Sequence, residues 1–189
     1  MILKLKTIVS LIALVFIFQV NFAQEVPAAP KSTEAIMKKA YKKAKKERKN
    51  VFVMFHASWC GWCKRMDASM TDETTKEFFD SNYVIEHIVI KESAKNKHLE
   101  NEGGEAFYTK HGGKRGIPYW LIFDHKGNLL ADANMNEGDH FMIGEGNNIG
   151  CPGTVPEVDA FLYKIKNTSD IKDSDLDIIR DRFRKNSPN

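Results

Sequence analysis

The sequence predicts an α/β domain with a mixed central sheet flanked by helices. A continuous apolar run, Val51–Phe55, is typical of a central strand that is buried on both faces. Strands that alternate with helical segments indicate an α/β sandwich. Trp120–Phe123 and Leu129–Ala133 flank a turn that contains Gly127, and this pattern predicts a hairpin within the same sheet.

The first helix is predicted from Thr33 to about Lys49, with Ser32 or Thr33 as its cap. Its apolar face would consist of Ala35, Ile36, Ala40, Tyr41 and Ala44. The lysines between these positions are interpreted as a solvated helix face, in preference to a membrane or nucleic-acid contact.

The remaining elements follow in order along the chain. A helix begins at Cys60 and reaches Met70, Thr71 or Asp72 caps a further helical stretch, and Tyr83–Ile90 forms a second strand. Double glycines bound a short helix over residues 106–110. After the hairpin come a helix around residues 158–165 and a last one capped by Asp173 or Ser174.

We divide the chain into a signal peptide (1–23), a flexible lead (24–32), the α/β domain (33–167, with an inserted loop at 134–154) and a C-terminal helical extension (168–189). Lys4 and Lys6 precede an apolar run of 13 residues, and Ala23 offers a small residue for cleavage. The alternative, a transmembrane anchor, needs about 20 apolar residues. We therefore expect a periplasmic or secreted protein with no stable membrane insertion after cleavage.

Composition excludes several classes of protein. The net charge is +3, from 28 basic and 25 acidic residues, which does not indicate a nucleic-acid binder. Three cysteines are too few for a disulfide scaffold. The histidines form no motif of a zinc hydrolase, and no phosphate-binding glycine motif is present.

The chemistry is predicted at Cys60 and Cys63, in the sequence Trp-Cys-Gly-Trp-Cys-Lys over residues 59–64. On the first turn of a helix, residues three apart share one face, so the two sulfurs can form a disulfide. The helix N-terminus favours the thiolate, which is the nucleophile. We therefore expect Cys60 to attack a substrate disulfide and Cys63 to resolve the mixed disulfide.

Two alternatives for this pair stay open. His56 with Cys60 and Cys63 would supply three metal ligands, but a closed zinc site needs a further ligand pair. We predict no metal at this site. A purely structural disulfide is less favoured because so short a ring constrains the unfolded chain little.

The CxxC after an apolar strand, followed by Gly116-Ile117-Pro118 before another strand, resembles the thioredoxin superfamily over about residues 33–167. The resemblance implies a thioredoxin-like fold, a cis bond at Pro118, packing of Pro118 against the CxxC, and backbone pairing of Ile117 with the substrate. Phe55-His56-Ala57 and Lys64-Arg65-Met66 resemble the secreted branch that maintains thiols outside the cytoplasm. The implied substrate-binding set is Trp59, Gly61, Trp62, Ile117 and Pro118.

The sequence departs from the family in two ways. Met54 stands where thioredoxins carry a buried Asp that assists proton transfer to the second cysteine, and Gly-Trp replaces Gly-Pro between the cysteines. Glu86 or His87 could supply a replacement base, although an exposed strand face is the favoured interpretation.

Lys64 and Cys151 are the candidate modulators of the site. We expect Trp59 to shield the sulfur and Trp62 to be the more exposed of the two. Lys64 would favour the thiolate or lie solvated on the surface. By resemblance, the loop 134–154 flanks the site, where it binds a partner or has no role. Cys151 is expected as a buried apolar thiol, with exchange with the CxxC or an interchain bridge as alternatives.

Together these observations predict an extracytoplasmic thiol–disulfide oxidoreductase, with reduction or isomerisation of protein disulfides as the leading direction. The alternatives are a net disulfide oxidant and a non-catalytic binding module with the same fold. No cofactor is expected because the cysteine pair carries two electrons. The expected partners are protein disulfide substrates and a thiol electron donor at the membrane, with no nucleic acid.

Overall fold

The computed structural model describes residues 29–114, 116–136, 138 and 141–187. The predicted signal peptide and the lead as far as residue 28 lie outside the described residues. Within the described ranges, no helix is both long enough and apolar enough to cross a membrane.

The central sheet has four strands in the order β2-β1-β3-β4. They are β1 (Asn50–His56), β2 (Tyr83–Val89), β3 (Tyr119–Phe123) and β4 (Leu129–Asp132). β1 pairs with β2 in parallel and with β3 in antiparallel, and β3 and β4 form the hairpin. The prediction of a mixed central sheet flanked by helices is therefore confirmed.

Six α-helices surround the sheet in the described part of the chain. They are α1 (Thr33–Glu47), α2 (Gly61–Met70), α3 (Lys76–Asn82), α4 (Gly104–Lys110), α5 (Val155–Lys166) and α6 (Asp173–Arg184). A 3-10 helix spans Ala94–Leu99, between β2 and α4. The inserted loop contains a small ladder between β5 (Asn134–Met135) and β6 (Asn147–Asn148).

One face of the sheet packs against α1 and α4. Phe55 of β1 and Tyr119 of β3 both contact the ring of Tyr108 on α4, at 5.4 and 5.3 Å between ring centroids. Tyr41 of α1 contacts Phe123 of β3 edge-on, at 6.1 Å between centroids. α1 and α4 therefore cover the side chains of Phe55, Tyr119 and Phe123 on this face, while the residues next to them along each strand point to the opposite face.

The opposite face packs against the C-terminal helices. Phe52 of β1 stacks on Trp120 of β3 at 5.6 Å, and Trp120 contacts Phe161 of α5 at 5.4 Å. Phe161 in turn contacts Phe183 of α6 at 4.8 Å. The C-terminal extension therefore packs on the core, with α6 against α5.

Helix boundaries and faces differ from the prediction at three places. The cap of α3 is Thr75, because Thr71 closes α2 and Asp72 accepts the Thr74 amide in the intervening turn. The cap of α6 is Lys172, since Asp173 is already helical. On α1 the buried positions are Thr33, Met37, Ala40 and Ala44, whereas Ala35 is exposed.

The inserted loop is tied to the core by the buried side chain of Lys164 on α5. Its Nζ donates to the carbonyl oxygens of Asp132 and Asn134, each at 2.7 Å, and to that of Met142 at 3.2 Å. The Asp132 carboxylate lies 3.2 Å away. Burial lowers the pKa of the Lys164 ammonium, and the Asp132 carboxylate opposes this shift.

Candidate active site

Cys60 and Cys63 lie at the N-terminus of α2, directly after the loop that leaves β1. Cys60 is the N-cap residue, and its backbone N–H donates to the Ala57 carbonyl at 3.0 Å. The two residues form a disulfide with their Cα atoms 5.3 Å apart. The Cys63 N–H donates to Cys60 Sγ at 3.1 Å, so an amide of the first helical turn is directed at this sulfur.

The loop before β3 approaches the disulfide from the side. The peptide bond between Ile117 and Pro118 is cis, as predicted. The Ile117 carbonyl oxygen lies 3.6 Å from Cys60 Sγ. Tyr108 Oη donates to the Gly116 carbonyl at 3.1 Å, and Asn148 Nδ2 donates to the Pro118 carbonyl at 2.9 Å. These bonds fix the backbone of the loop beside the sulfur.

The two tryptophans of the motif do not have the exposure that was expected. Trp59 is 59% exposed and Trp62 is 44% exposed, so Trp59 is the more exposed residue. The indole N–H of Trp59 donates to the Lys91 carbonyl at 2.8 Å, which turns its ring towards the segment after β2. Trp62 is partly covered because the Arg65 guanidinium lies 4.8 Å from its ring centroid.

Glu92 holds the loop that precedes Cys60, and the sequence analysis missed it. Its carboxylate accepts the Ser58 N–H at 2.5 Å and the Ser58 hydroxyl at 2.8 Å. The Glu92 residue is buried, and its own N–H donates to the Glu100 carboxylate at 2.8 Å. No local sequence signal distinguishes Glu92 from an ordinary surface charge at the end of a strand.

A groove of about 280 Å³ opens beside the disulfide and is called here the active-site groove. The motif and the loop before β3 contribute Trp62, Ile117 and Pro118 to its lining. The inserted loop contributes Ile149, Gly150, Cys151, Gly153 and Thr154, followed by Glu157 of α5 and Asn186 of the extension. The structure therefore brings the inserted loop to the site. The sequence analysis did not anticipate Asn186.

The family described as thioredoxin-like matches residues 33–125. The matched segment covers 93 of the 189 residues and includes Cys60, Cys63 and the Ile117-Pro118 bond. No curated protein matched the chain.

Among solved structures, a disulphide isomerase from Xylella fastidiosa Temecula1 is similar, with 17% identity, a TM-score of 0.43, and coverage of 61% of this chain and 79% of that chain. The C-terminal domain of Neisseria meningitidis DsbD in the oxidised form has 19% identity, a TM-score of 0.40 and coverage of 56% and 84%. A DsbH oxidoreductase has 19% identity, a TM-score of 0.37 and coverage of 62% and 83%.

The position of the buried thioredoxin Asp is occupied here by the buried side chain of Met54. Of the two alternative bases, His87 lies on the same face of the sheet as α2, because its Nε2 is 2.7 Å from Asp67 Oδ1. Glu86 is the adjacent strand residue and therefore points to the opposite face. Among the described residues, no group of three His, Cys, Asp or Glu side chains is arranged to hold a metal ion.

The two candidate modulators differ in their surroundings. Cys151 is a free thiol, 8% exposed, in the wall of the active-site groove. Burial raises the pKa of the Cys151 thiol to about 12, with a smaller opposing effect of the Arg65 charge. Lys64 is exposed on the first turn of α2, and Gly61 is exposed with open space around it.

Proposed function

We propose that this protein is an extracytoplasmic thiol–disulfide oxidoreductase that acts on protein disulfides. One observation supports this most strongly. The Cys60–Cys63 disulfide lies at the N-terminus of α2, beside the Ile117 carbonyl and the active-site groove. The site therefore combines three features. It has a reactive sulfur, a backbone carbonyl that can pair with an extended substrate, and space for a neighbouring side chain.

In the reduced protein, Cys60 is the attacking group. The Cys63 N–H, 3.1 Å from Cys60 Sγ, and the positive end of α2 stabilise its thiolate. The thiolate attacks one sulfur of a substrate disulfide, the other sulfur leaves as a thiolate, and a mixed disulfide forms. Cys63 then attacks Cys60 Sγ, which releases the second substrate thiol and restores the disulfide seen here.

The substrate chain would lie along the loop before β3. The resemblance to the superfamily assigns backbone pairing to Ile117 and packing against the disulfide to Pro118. Trp59 and Trp62, which precede and follow Cys60 in the sequence, present large exposed apolar surfaces. Such surfaces suit a partly unfolded protein or a peptide better than a small polar disulfide.

We propose reduction or isomerisation as the direction, with electrons from a thiol donor at the membrane. The signal-peptide pattern of residues 1–23 supports a location in the periplasm or outside the cell. Protein disulfides are the substrates available in such compartments. The cysteine pair itself carries the two electrons, so no cofactor is required.

Activity is tested by mixing the reduced mature protein with a cysteine-containing peptide disulfide. We expect stoichiometric release of peptide thiol by the wild type, none by C60S, and a mixed disulfide that accumulates in C63S and is seen by intact mass. C151S, which removes the thiol in the wall of the active-site groove, tests whether the third cysteine takes part. A wild-type protein that releases no peptide thiol would identify the chain as a binding module.

Direction is tested by a glutathione redox titration of the same protein. A midpoint near about −270 mV, or below it, is the range of thioredoxin and indicates a reductase with a dedicated electron donor. A midpoint of about −120 to −180 mV is the range of oxidants and isomerases. A value near the −120 mV end, together with net oxidation of a reduced peptide, would overturn the reductase assignment.

A further inference from the structure

A cluster of titratable side chains joins strands β1 and β2 to α2, the helix that carries the resolving cysteine. His56 ends β1 and His87 lies in β2, and their rings meet edge to face with 5.1 Å between centroids. His87 Nε2 lies 2.7 Å from Asp67 Oδ1. The three residues form a continuous chain of contacts, which we call the histidine cluster.

The histidine cluster is linked to Cys63 through Asp67 on α2. Asp67 follows Cys63 by four residues, so the two side chains lie on the same face of the helix, one turn apart. His87 is the register partner of Met54, and His56 follows Met54 by two residues on the same strand. The side chains of His56, His87 and Met54 therefore share one face of the sheet. Met54 stands at the position where the superfamily has a carboxylate.

We propose that the histidine cluster accepts the proton of Cys63 during resolution of the mixed disulfide, with His56 as the acceptor and with His87 and Asp67 as positioning residues. The inference rests on the proposed function, because it concerns one step of that exchange reaction. It assigns a role to three residues that the superfamily motifs leave unassigned.

The charges around His56 suit a proton acceptor. Burial lowers the pKa of His56, and the neighbouring His87 acts in the same direction. The carboxylates of Asp67 on α2 and Glu92 after β2 oppose this shift. A lowered pKa leaves the imidazole neutral near neutral pH, with a lone pair free to take a proton.

The proposed step balances without an added reactant. The Cys63 thiol gives its proton to the neutral imidazole and becomes a thiolate. The thiolate forms a bond to Cys60 Sγ, and the bond between Cys60 and the substrate sulfur breaks. The leaving substrate thiolate then takes the proton from the imidazolium, so the cluster returns to its starting state.

The test follows formation and decay of the mixed disulfide by quenched flow and intact mass, between about pH 5 and pH 9, the range over which histidines titrate. The variants are H56Q, H87Q and D67N. The matched control is H98Q, which changes an exposed histidine on the 3-10 helix. Circular dichroism shows whether each variant is folded.

In H56Q we expect resolution near about pH 7 to slow about 100-fold, at the lower end for a general base, while attack by Cys60 keeps its rate. The inflection of the pH profile is lost in H56Q and moves in H87Q and D67N. H98Q retains the wild-type profile.

Wild-type pH profiles in folded H56Q, H87Q and D67N would overturn the inference and leave the proposed function intact. If H56Q does not fold, unchanged inflections of the pH profile in H87Q and D67N are sufficient to overturn the inference, and the proposed function stays intact. A wild-type protein that forms no mixed disulfide overturns both the inference and the proposed function.

Discussion

The buried thiol of Cys151 makes the pH dependence of stability a test of how the inserted loop packs. The perturbation is Cys151→Ala in a C60S/C63S background, where Cys151 is the one remaining thiol because the chain has 3 cysteines. Burial raises the pKa of Cys151 in the folded protein to about 12. In the unfolded chain, a cysteine titrates at about 8.5.

The raised pKa fixes the sign of the effect. Below about pH 8.5 both states hold the proton, so the stabilising contribution of the neutral thiol is fully present. Between about pH 8.5 and 12 the unfolded state loses the proton and the folded state keeps it. The free energy of unfolding then falls by about 1.4 kcal/mol per pH unit, which amounts to about 2 kcal/mol between pH 7 and pH 10.

The assay is urea denaturation followed by tryptophan fluorescence, at steps between those two pH values. The alanine variant shares every other titrating group. The difference in the free energy of unfolding between the two proteins at each pH therefore reports on Cys151. The lost packing around the side chain adds an offset that does not depend on pH. A difference that stays constant over the whole range would refute the buried position of this thiol.

Three further predictions concern the supports of the fold and the site. Lys164→Met removes the ammonium from its buried carbonyl and carboxylate acceptors, and we expect a loss of about 3 to 5 kcal/mol in urea denaturation. The hydrogen bond from the Thr74 amide is the largest cause that lowers the pKa of Asp72, to about 2. The ionised Asp72 carboxylate therefore stabilises the folded protein above about pH 3.9, and this stabilisation is lost on acidification. Asp72→Asn should therefore flatten the acid limb of a pH-melting curve. Glu92→Gln leaves one of the two Ser58 donors without a carboxylate oxygen to accept its hydrogen bond. We expect the free energy of unfolding to fall by about 1 to 3 kcal/mol and the mixed disulfide to form more slowly.

The placement of the two cysteines could be predicted from the sequence because local rules specify it. A CxxC that opens a helix places two sulfurs on one turn whatever surrounds them. The order of strands and helices was equally accessible, because the run Val51–Phe55 and the hairpin around Gly127 are patterns within a few residues.

The supports of the site could not be predicted in the same way. Glu92 contacts Ser58 across 34 positions, and Asn186 contacts Ser69 across 117. His56 meets His87 only because β1 and β2 pair in parallel register. No spacing in the sequence encodes such contacts, since they arise when separate elements pack.

The error about the tryptophans has the same origin. Trp59 is adjacent to Cys60 and is expected from the sequence to shield its sulfur, which leaves Trp62 as the more exposed of the two. The structure gives Trp59 a hydrogen bond to the Lys91 carbonyl, which holds its ring across a surface open to solvent. Arg65, one turn along α2, covers part of Trp62. Exposure here depends on partners outside the motif.

The active-site groove is built from two kinds of segment. Residues within the thioredoxin-like match contribute Trp62, Ile117 and Pro118, whereas the remaining wall comes from beyond residue 125. Asn186 joins these segments, because its Nδ2 donates to Ser69 Oγ at 2.9 Å and to the Pro152 carbonyl at 3.1 Å. Changes in this wall alter the shape offered to a substrate without touching the sulfurs. Reactivity and substrate selection can therefore vary independently in this chain.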